Sequence, residues 1–381
     1  MLAGGNSNYY KTAHTITIMT TQATEKALLT CPGDTIQETI DTIGMTQREL
    51  AERLGYPVNK LNHLIQGEAS LTPEMAIKLE HVLGIPVRTW LELERMYQED
   101  KLAIDEQERL AGQLDWFSQF PLSALKKWGI ISKGRKNVDQ VEALLSFFQV
   151  ASKEEWERIY VDEKISVSFK ISLAHTQNPY SLSVWLRLGE KQAEELELSP
   201  FDEKRFKACL EDAREMSYRQ PDDYLQALQA LCASCGVALV YTPLLPNAPV
   251  NGATRWLKKR TQPLLQLSDR YKTADHFWFA FFHEAAHILK HGKTEIFLDG
   301  VKGVEQDEEK EAEANRIALK YLLGDFPLQK YNGKSRPWSE AELVGLAEEY
   351  KIHPGILVAQ LQRVSSLPNR NLNGLKVKVE F

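Results

Sequence analysis

The chain is 381 residues long, 43% hydrophobic and 9% aromatic, with a formal net charge of −6. This length exceeds what one hydrophobic core usually supports, so we expect two or three domains. No apolar stretch reaches the roughly 20 residues of a transmembrane helix and no secretory signal is visible, which predicts a soluble, cytoplasmic protein without a membrane partner. Residues 1–30 are polar and aperiodic, and we expect them to form a disordered tail.

Two short helices with a sharp turn between them are predicted near the N-terminus. Residues 45–55 read MTQRELAERLG and residues 56–67 read YPVNKLNHLIQG, and a glycine closes each segment. Pro57 suits the first position of a helix, and Leu61 and Leu64 belong to an apolar stripe on the second segment. A helix with such a stripe packs across its neighbour, as in a helix-turn-helix.

This pair resembles the helix-turn-helix of the XRE class, which includes Cro and the lambda repressor. Residues 71–91, with LTPEMAIKLE followed by LGIP and a Trp-Leu pair, narrow the resemblance to the HigA-like antitoxin branch. The resemblance implies that the second helix reads the major groove of double-stranded operator DNA and that the protein binds as a homodimer. The residues that it brings to the DNA are Gln47, Val58, Asn59, Lys60, Asn62 and His63.

Within this set, Gln47, Asn59 and Asn62 are favoured as base contacts because Gln and Asn can pair bidentately with adenine. The local charge argues for weak binding: residues 32–97 hold ten acidic and six basic residues, whereas phosphate neutralisation favours an excess of basic ones. We therefore expect DNA binding that is weak for one copy and depends on dimerisation. A helix-turn-helix fold that binds only protein is the alternative.

A second motif lies in the C-terminal part, where residues 283–287 read HEAAH inside the helix-compatible run DHFWFAFFHEAAHILK. Histidines four positions apart project from one face of a helix, close enough to share one Zn²⁺. Glu284 lies about 100° further round, where it can reach a water on the metal. The pattern predicts His283 and His287 as metal ligands and Glu284 as catalytic base. Two buried structural histidines are the alternative.

Residues 308–323 read EEKEAEANRIALKYLL and supply a candidate third ligand. Their apolar positions repeat with helical spacing, and Glu311 lies on the stripe that faces the core. Glu313 lies on the opposite face, where we expect a solvated ion pair with Arg316. Helix phasing therefore favours Glu311 as the ligand, and Glu308, one turn earlier and near the same face, stays an alternative. A helix with only a structural role would also fit.

Neighbouring residues have expected supporting roles. Asn315 lies one turn beyond Glu311 and is placed to hydrogen-bond the free nitrogen of a zinc histidine. His291 follows His287 by one turn, and we interpret it as a cation at the helix C-terminus. The strand-like residues 251–257 could lie along a substrate peptide as an edge strand, although an ordinary strand within a sheet is favoured.

The HExxH helix followed by E-x-x-A-N resembles the ImmA/IrrE family of bacterial metallopeptidase domains, which are gluzincin-like. Further matching segments read GATRWL at residues 252–257, PLLQLS at 263–268 and PGILV at 354–358. The resemblance implies Zn²⁺ as cofactor, which would polarise the scissile carbonyl while a base with a pKa raised by burial takes the proton of the attacking water. The site that it implies consists of His283, His287, Glu311 and the catalytic Glu284.

The middle of the chain carries no chemistry that we can assign. Residues 101–225 look mostly helical, with a strand at residues 165–174, and we expect a connector there. Cys232 and Cys235 form a lone CxxC, which favours a buried reduced pair over redox or metal chemistry, and Cys209 stands alone.

The sequence thus predicts a mainly helical α+β protein. Its parts are a tail at residues 1–30, a lambda-repressor-like helix-turn-helix bundle at 31–100, a helical connector at 101–225 and a zincin-like domain with a small sheet at 226–381. The expected function is a DNA-binding transcriptional regulator whose zinc endopeptidase domain cleaves a partner protein or the chain itself. The alternative is a HigA-type antitoxin that represses its operator and neutralises a toxin, with a structural or sensing zinc site.

Overall fold

The computed structural model of the chain describes residues 29–161, 176, 178–258, 260–270, 272–293, 296–301, 307–333 and 336–379. Most of the tail predicted at residues 1–30 and the strand predicted at residues 165–174 lie outside these ranges. The chain divides into two compact units, one ending at Leu114 and one running from Asp115 to Phe381. None of the described helices has both the length and the apolar character needed to cross a bilayer.

The N-terminal unit is a bundle of helices. They are α1 (Pro32–Ile43), α2 (Gln47–Leu54), α3 (Val58–Ile65), α4 (Pro73–Leu83) and α5 (Val87–Ala111). Their buried side chains form one apolar cluster that includes Trp90, whose Nε1 donates to the carbonyl oxygen of Ile85 at 3.1 Å. Helix α5 is 25 residues long and runs through residue 100, where the sequence predicts a domain boundary.

Local signals produce the sharp turn between α2 and α3. Thr46 caps α2: its Oγ1 accepts from the backbone N–H of Glu49 at 3.2 Å, and the Glu49 carboxylate accepts from the Thr46 N–H at 2.8 Å. Gly55 ends α2 with a φ of 59°, a left-handed conformation that costs glycine little. Leu61 and Leu64 are buried, so α3 packs its apolar stripe inward as predicted.

The helices that come next in chain order are α6 (Leu114–Phe117), α7 (Leu122–Lys127), α8 (Val138–Phe148), α9 (Lys153–Tyr160), α10 (Pro179–Glu194), α11 (Glu203–Arg219) and α12 (Tyr224–Ser234). Aromatic side chains hold the first of them together. The ring of Trp156 on α9 stacks on Tyr180 of α10 with centroids 5.1 Å apart and meets Trp116 of α6 edge-on at 5.7 Å. The helices predicted for residues 101–225 are therefore present, and aromatic side chains pack between them.

The strands of the sheet are β1 (Ala238–Tyr241), β2 (Gly252–Leu257), β3 (Gln262–Leu267) and β4 (Phe297–Asp299), in the order β1-β3-β2-β4. Strand β1 runs parallel to β3, and β2 is antiparallel to both β3 and β4. The predicted α+β class with a small sheet is confirmed. The ordinary strand favoured for residues 251–257 is confirmed, and the edge-strand alternative is not, because β4 pairs with Gly252, Ala253 and Thr254 on the side of β2 opposite β3.

The helices that accompany or follow these strands are α13 (Ala274–Lys290), α14 (Glu308–Leu323), α15 (Glu340–Glu349) and α16 (Pro354–Arg363). Helix α13 packs against the sheet, α14 and α16. Phe281 and Phe282 on α13 are fully buried, and the ring of Tyr321 on α14 stacks on Phe282 with centroids 5.1 Å apart. Burial on several sides explains why α13 has almost no polar face.

A buried ion network joins α10 to the sheet. Arg255 on β2 donates from Nη2 to the carbonyl oxygen of Leu186 at 2.5 Å and from Nη1 to Oε1 of Gln266 at 3.1 Å. Its Nε lies 3.4 Å from Oε1 of Glu190, and Nη1 of Arg187 lies 2.6 Å from Oε2 of the same carboxylate. Arg255 is 2% exposed, so its charge is stabilised by these partners rather than by water.

The cysteines differ from expectation. Cys209 on α11 is disulfide-bonded to Cys235, which follows α12, and Cys232 is a free, buried thiol. The predicted reduced pair of Cys232 and Cys235 is therefore wrong, as is the isolation of Cys209. The CxxC spacing gave no indication of this bond, because it depends on the packing of α11 against α12.

Candidate metal centre and DNA interface

Two histidines and a glutamate come together where α13 faces α14. The Nε2 atoms of His283 and His287 are 3.1 Å apart. The Glu311 carboxylate reaches both rings, with Oε2 3.2 Å from His283 Nε2 and Oε1 3.5 Å from His287 Nε2. The donor atoms all lie within 4.8 Å of one another, and both imidazoles are buried. This donor set suits zinc with an open fourth position.

Glu311, and not Glu308, faces the histidines. Asp307 caps α14, with Oδ1 accepting from the backbone N–H of Glu309 at 3.1 Å and of Lys310 at 3.2 Å. This cap determines where the helix begins and hence which side chains point inward. Glu308 is exposed in the first turn, whereas the Glu311 side chain is only 17% exposed.

Glu284 is fully buried beside the donors, and neither of its carboxylate oxygens has a hydrogen-bond partner within the described part of the chain. Thr254 on β2 donates from Oγ1 to the backbone carbonyl of Glu284 at 3.1 Å, which ties α13 to the sheet at this residue. Burial raises the pKa of Glu284 to about 8, against the opposing effect of His283. A carboxylate with a pKa near neutrality suits a general base.

The surroundings shift the pKa values of the two imidazoles in opposite directions. Burial lowers the pKa of His283, but the carboxylates of Glu311 and Glu284 outweigh this effect and raise it to about 9. Burial and the neighbouring His283 lower the pKa of His287 to about 2. A metal ion binds neutral imidazole, so it has to displace the proton that His283 otherwise keeps.

The second nitrogen of His287 faces His291 instead of Asn315. The two Nδ1 atoms are 2.8 Å apart, and Nε2 of His291 lies 3.4 Å from Oε2 of Glu313. Asn315 is half-buried and lines the cleft, but no hydrogen bond joins its amide to either zinc-site histidine among the described contacts. The expected solvated ion pair of Glu313 with Arg316 is not among the described contacts, and the Glu313 carboxylate faces His291 instead. The expected hydrogen bond from Asn315 to a zinc histidine stays a prediction.

A cleft of about 970 Å³ opens over these residues, with His283, Glu311 and Asn315 in its wall. This volume lies at the upper end of the range of about 300–1,000 Å³ that ligand pockets usually have, so a short extended peptide fits. Further polar side chains in the wall are Ser268, Asp269, Arg270, His276, Gln360 and Arg363.

Two residues of the site had no role assigned from the sequence. Phe297 on β4 stacks on the His287 ring with centroids 3.9 Å apart and planes 16° apart. Gly252 on β2 lies against Glu284, where a Cβ atom would be 2.8 Å from Oε1. Both belong to strands whose pairing brings them to α13, so their roles depend on the sheet. For His291, by contrast, the i+4 spacing from His287 was an available signal.

In the N-terminal unit, α3 presents an exposed surface of the kind that the helix-turn-helix resemblance implies. Val58, Asn59, Lys60 and His63 are exposed. His63 is engaged, with Nδ1 2.5 Å from Oε2 of Glu68.

The two amides with partly buried side chains differ from that group. Gln47 donates from Nε2 to Oε1 of Gln37 at 2.6 Å. Asn62 is half-buried, and its Oδ1 accepts no hydrogen bond from the described residues. Asn59 and Lys60 are therefore exposed polar side chains of the predicted set that are available to contact DNA.

A helix-turn-helix bundle in one unit, and in the other a buried HExxH helix with a facing carboxylate and a small sheet, define a DNA-binding protein that carries a zincin-like domain. Residues 37–90 match the helix-turn-helix family model, and residues 235–362 match the model of the IrrE N-terminal-like domain. The chain is 41% identical over 66 residues, 17% of its length and 70% of the relative's, to the uncharacterized HTH-type transcriptional regulator YddM of Escherichia coli (strain K12).

The chain belongs to the helix-turn-helix transcriptional regulators of the XRE type, and its C-terminal part is an IrrE N-terminal-like domain of peptidase family M78. Both resemblances predicted from the motifs are confirmed. A solved addiction module antidote protein of a HigA family from Coxiella burnetii is 22% identical, with 22% of this chain and 94% of that chain covered and a TM-score of 0.21.

Proposed function

We propose that this chain is a DNA-binding transcriptional regulator whose C-terminal unit is a zinc-dependent endopeptidase that cleaves a partner protein, or the chain itself, to switch transcription. The observation that carries the proposal is the convergence of His283, His287 and Glu311 beside a fully buried Glu284. A buried carboxylate without a hydrogen-bond partner among the described residues is costly, and a catalytic role accounts for it.

The donor chemistry fits zinc. Two imidazole nitrogens and one carboxylate are the ligands of gluzincin-like sites, and the cleft leaves one side of them open. When bound there, zinc supplies a Lewis acid that polarises a peptide carbonyl and makes a water more acidic.

Glu284 would move the protons in this reaction. Its carboxylate takes a proton from the attacking water and returns it to the amine of the departing peptide, for which a pKa near 8 is suitable. The open cleft admits an extended segment, and β4 is the outermost strand of the described sheet and has Asp299 in the cleft wall, so a peptide could add to it as a strand.

The N-terminal unit would bring this activity to an operator. We infer that α3 reads double-stranded DNA, chiefly through Asn59 and Lys60, that a homodimer binds, and that the protein acts in the cytoplasm, where operator and partner are found. The division into a reader at residues 31–100, a connector at 101–225 and a peptidase domain at 226–381 is part of the proposal.

The test compares wild type with Glu284→Gln, both loaded with zinc. Each protein is incubated alone and with a proteome-derived peptide library, and new N-termini are mapped by mass spectrometry. We expect one zinc per chain in both proteins and new N-termini only with wild type. Identical N-termini in the two samples would refute the peptidase. Glu311→Gln should lose zinc, and its matched control Glu308→Gln should keep it.

The antitoxin function is a second candidate. The likeness to an HTH-type transcriptional regulator is compatible with repression that needs no cleavage. Under this function Glu284→Gln would leave repression intact, and co-expression would protect cells from a toxin encoded beside the gene.

A further inference from the structure

His287 and His291 face each other with their Nδ1 nitrogens. Their Nδ1 atoms are 2.8 Å apart, a hydrogen-bond distance at which one nitrogen has to carry the proton and the other has to accept it. Nε2 of His287 is the atom that lies near Glu311 and His283. This Nε2 therefore faces the proposed zinc position.

These contacts favour one set of proton positions along the series His287, His291 and Glu313. A cation on Nε2 of His287 leaves its proton on Nδ1, which then donates to Nδ1 of His291. His291 in turn carries its own proton on Nε2, which lies 3.4 Å from Oε2 of Glu313, an electrostatic contact rather than a hydrogen bond. The contact with Glu313 thus favours a proton on Nε2 of His291. Nδ1 of His291 is then able to accept the proton of His287 Nδ1, as zinc binding at His287 requires.

The surroundings hold this chain of contacts in place. The His291 side chain is 3% exposed. Phe297 stacks on His287 at 3.9 Å and also contacts the His291 ring, with centroids 5.3 Å apart. His283 lacks a comparable support, since its Nδ1 has no hydrogen-bond partner among the described residues. His287 is therefore oriented by a hydrogen bond to its Nδ1, whereas no such bond to Nδ1 of His283 is described.

Building on the proposed zinc site, we propose that His291 and Glu313 are positioning residues that orient His287 and hold it in the zinc-binding tautomer. His291 is not itself a ligand: its Nδ1 is engaged by His287, and its Nε2 faces Glu313 on the side away from that contact. Its contribution is to make Nε2 of His287 a better and better-aimed donor.

The test measures zinc affinity of the full chain by competition with a chelator, together with the visible spectrum of the Co²⁺-loaded protein. His291→Phe keeps the ring volume and removes the acceptor, and we expect affinity to fall about 10–100-fold and the cobalt bands to shift. His291→Asn offers an amide oxygen near the position of Nδ1 and should restore most of the affinity. The exposed His81→Phe serves as control and should change nothing.

Glu313→Gln tests the contact of His291 with Glu313 without changing the hydrophobic core, because the Glu313 side chain is 38% exposed. We expect a loss of up to about 10-fold in zinc affinity, against none for the exposed control Glu309→Gln. If wild type binds zinc but all these variants match it in affinity and cobalt spectrum, the positioning role is refuted and the zinc site stands. If wild type binds no zinc, the proposed function and the positioning role fail together.

Discussion

Gly252 on β2 lies directly against the carboxylate of Glu284 on α13. A Cβ atom at position 252 would lie 2.8 Å from Oε1 and 2.9 Å from Cγ of Glu284. Such contacts are too short for a packed interior, so a larger residue here has to displace the carboxylate. Strand β2 therefore contributes to the site because position 252 has no side chain, which leaves room for the Glu284 carboxylate.

Gly252→Ala should lower the rate of peptide cleavage by about 100-fold, because a shift of the base by about 1 Å costs roughly that much. Zinc stoichiometry should stay at the wild-type value, since the three ligands lie on α13 and α14. Initial rates on the peptides that only wild type cleaves provide the measurement. Gly345→Ala is the matched control, because nothing lies within 4 Å of a Cβ there. Equal rates for all three proteins would contradict this assignment.

Glu284→Gln should stabilise the metal-free fold at pH 8. The unfolded chain releases the Glu284 proton near its ordinary pKa of 4.5, whereas the folded protein keeps it to about 8. Between these values the folded state binds more protons, so the free energy of unfolding decreases as pH rises. The amide removes this loss, on the order of 2–5 kcal/mol at pH 8 and little near pH 4.5.

The check is urea unfolding with a chelator present at both pH values, with Glu309→Gln as the exposed control. A pH-independent difference between Glu284→Gln and wild type would mean that the carboxylate is not held protonated by burial.

Arg255→Met should destabilise the C-terminal unit by about 3–5 kcal/mol, because it leaves the buried Glu190 with one of its two arginine partners. Arg219→Met is the surface counterpart: Arg219 Nε lies 2.5 Å from Oε1 of Glu215, but its side chain is 73% exposed. We expect less than about 1 kcal/mol there. Urea unfolding monitored by tryptophan fluorescence compares the two. Similar losses at both positions would show that the network contributes no more than a surface pair.

Asn59→Ala and Lys60→Ala should weaken DNA binding in different ways. The preferred duplex is first selected from random DNA by the full chain. Loss of Asn59 should cost about 1–3 kcal/mol and relax the preference at one base pair, because it removes a base contact. Loss of Lys60 should weaken binding to all sequences alike and reduce the salt slope by about 1.

Fluorescence anisotropy at several salt concentrations separates these effects. Arg95→Ala is the control, since Glu92 and Glu99 already pair with this arginine on α5. Unchanged affinity and base preference for both α3 variants would exclude α3 as the reading helix.

Helix periodicity in the sequence favoured Glu311 over Glu308 without excluding Glu308, because the apolar stripe is a local feature of α14. The structure shows the Asp307 cap and Glu311 beside the histidines. The same periodicity assigned Glu313 to solvent, and this was wrong in part. The Glu313 side chain is partly exposed but its carboxylate faces His291, which belongs to a different segment. A helical wheel describes the faces of one helix and contains no information about which polar group a neighbour presents.

The sequence by itself determined the features that depend on residues a few positions apart. These are the glycine-closed helices of the reader, the two histidines on one face of α13 and the inward phase of Glu311. Only the tertiary structure decided the contacts between distant segments. The pairing of β4 with β2 made β2 an interior strand, the packing of α11 on α12 joined Cys209 to Cys235, and the approach of β2 to α13 made Gly252 part of the site. Local patterns follow from backbone geometry, whereas these contacts depend on how whole elements pack, which residue spacing does not encode.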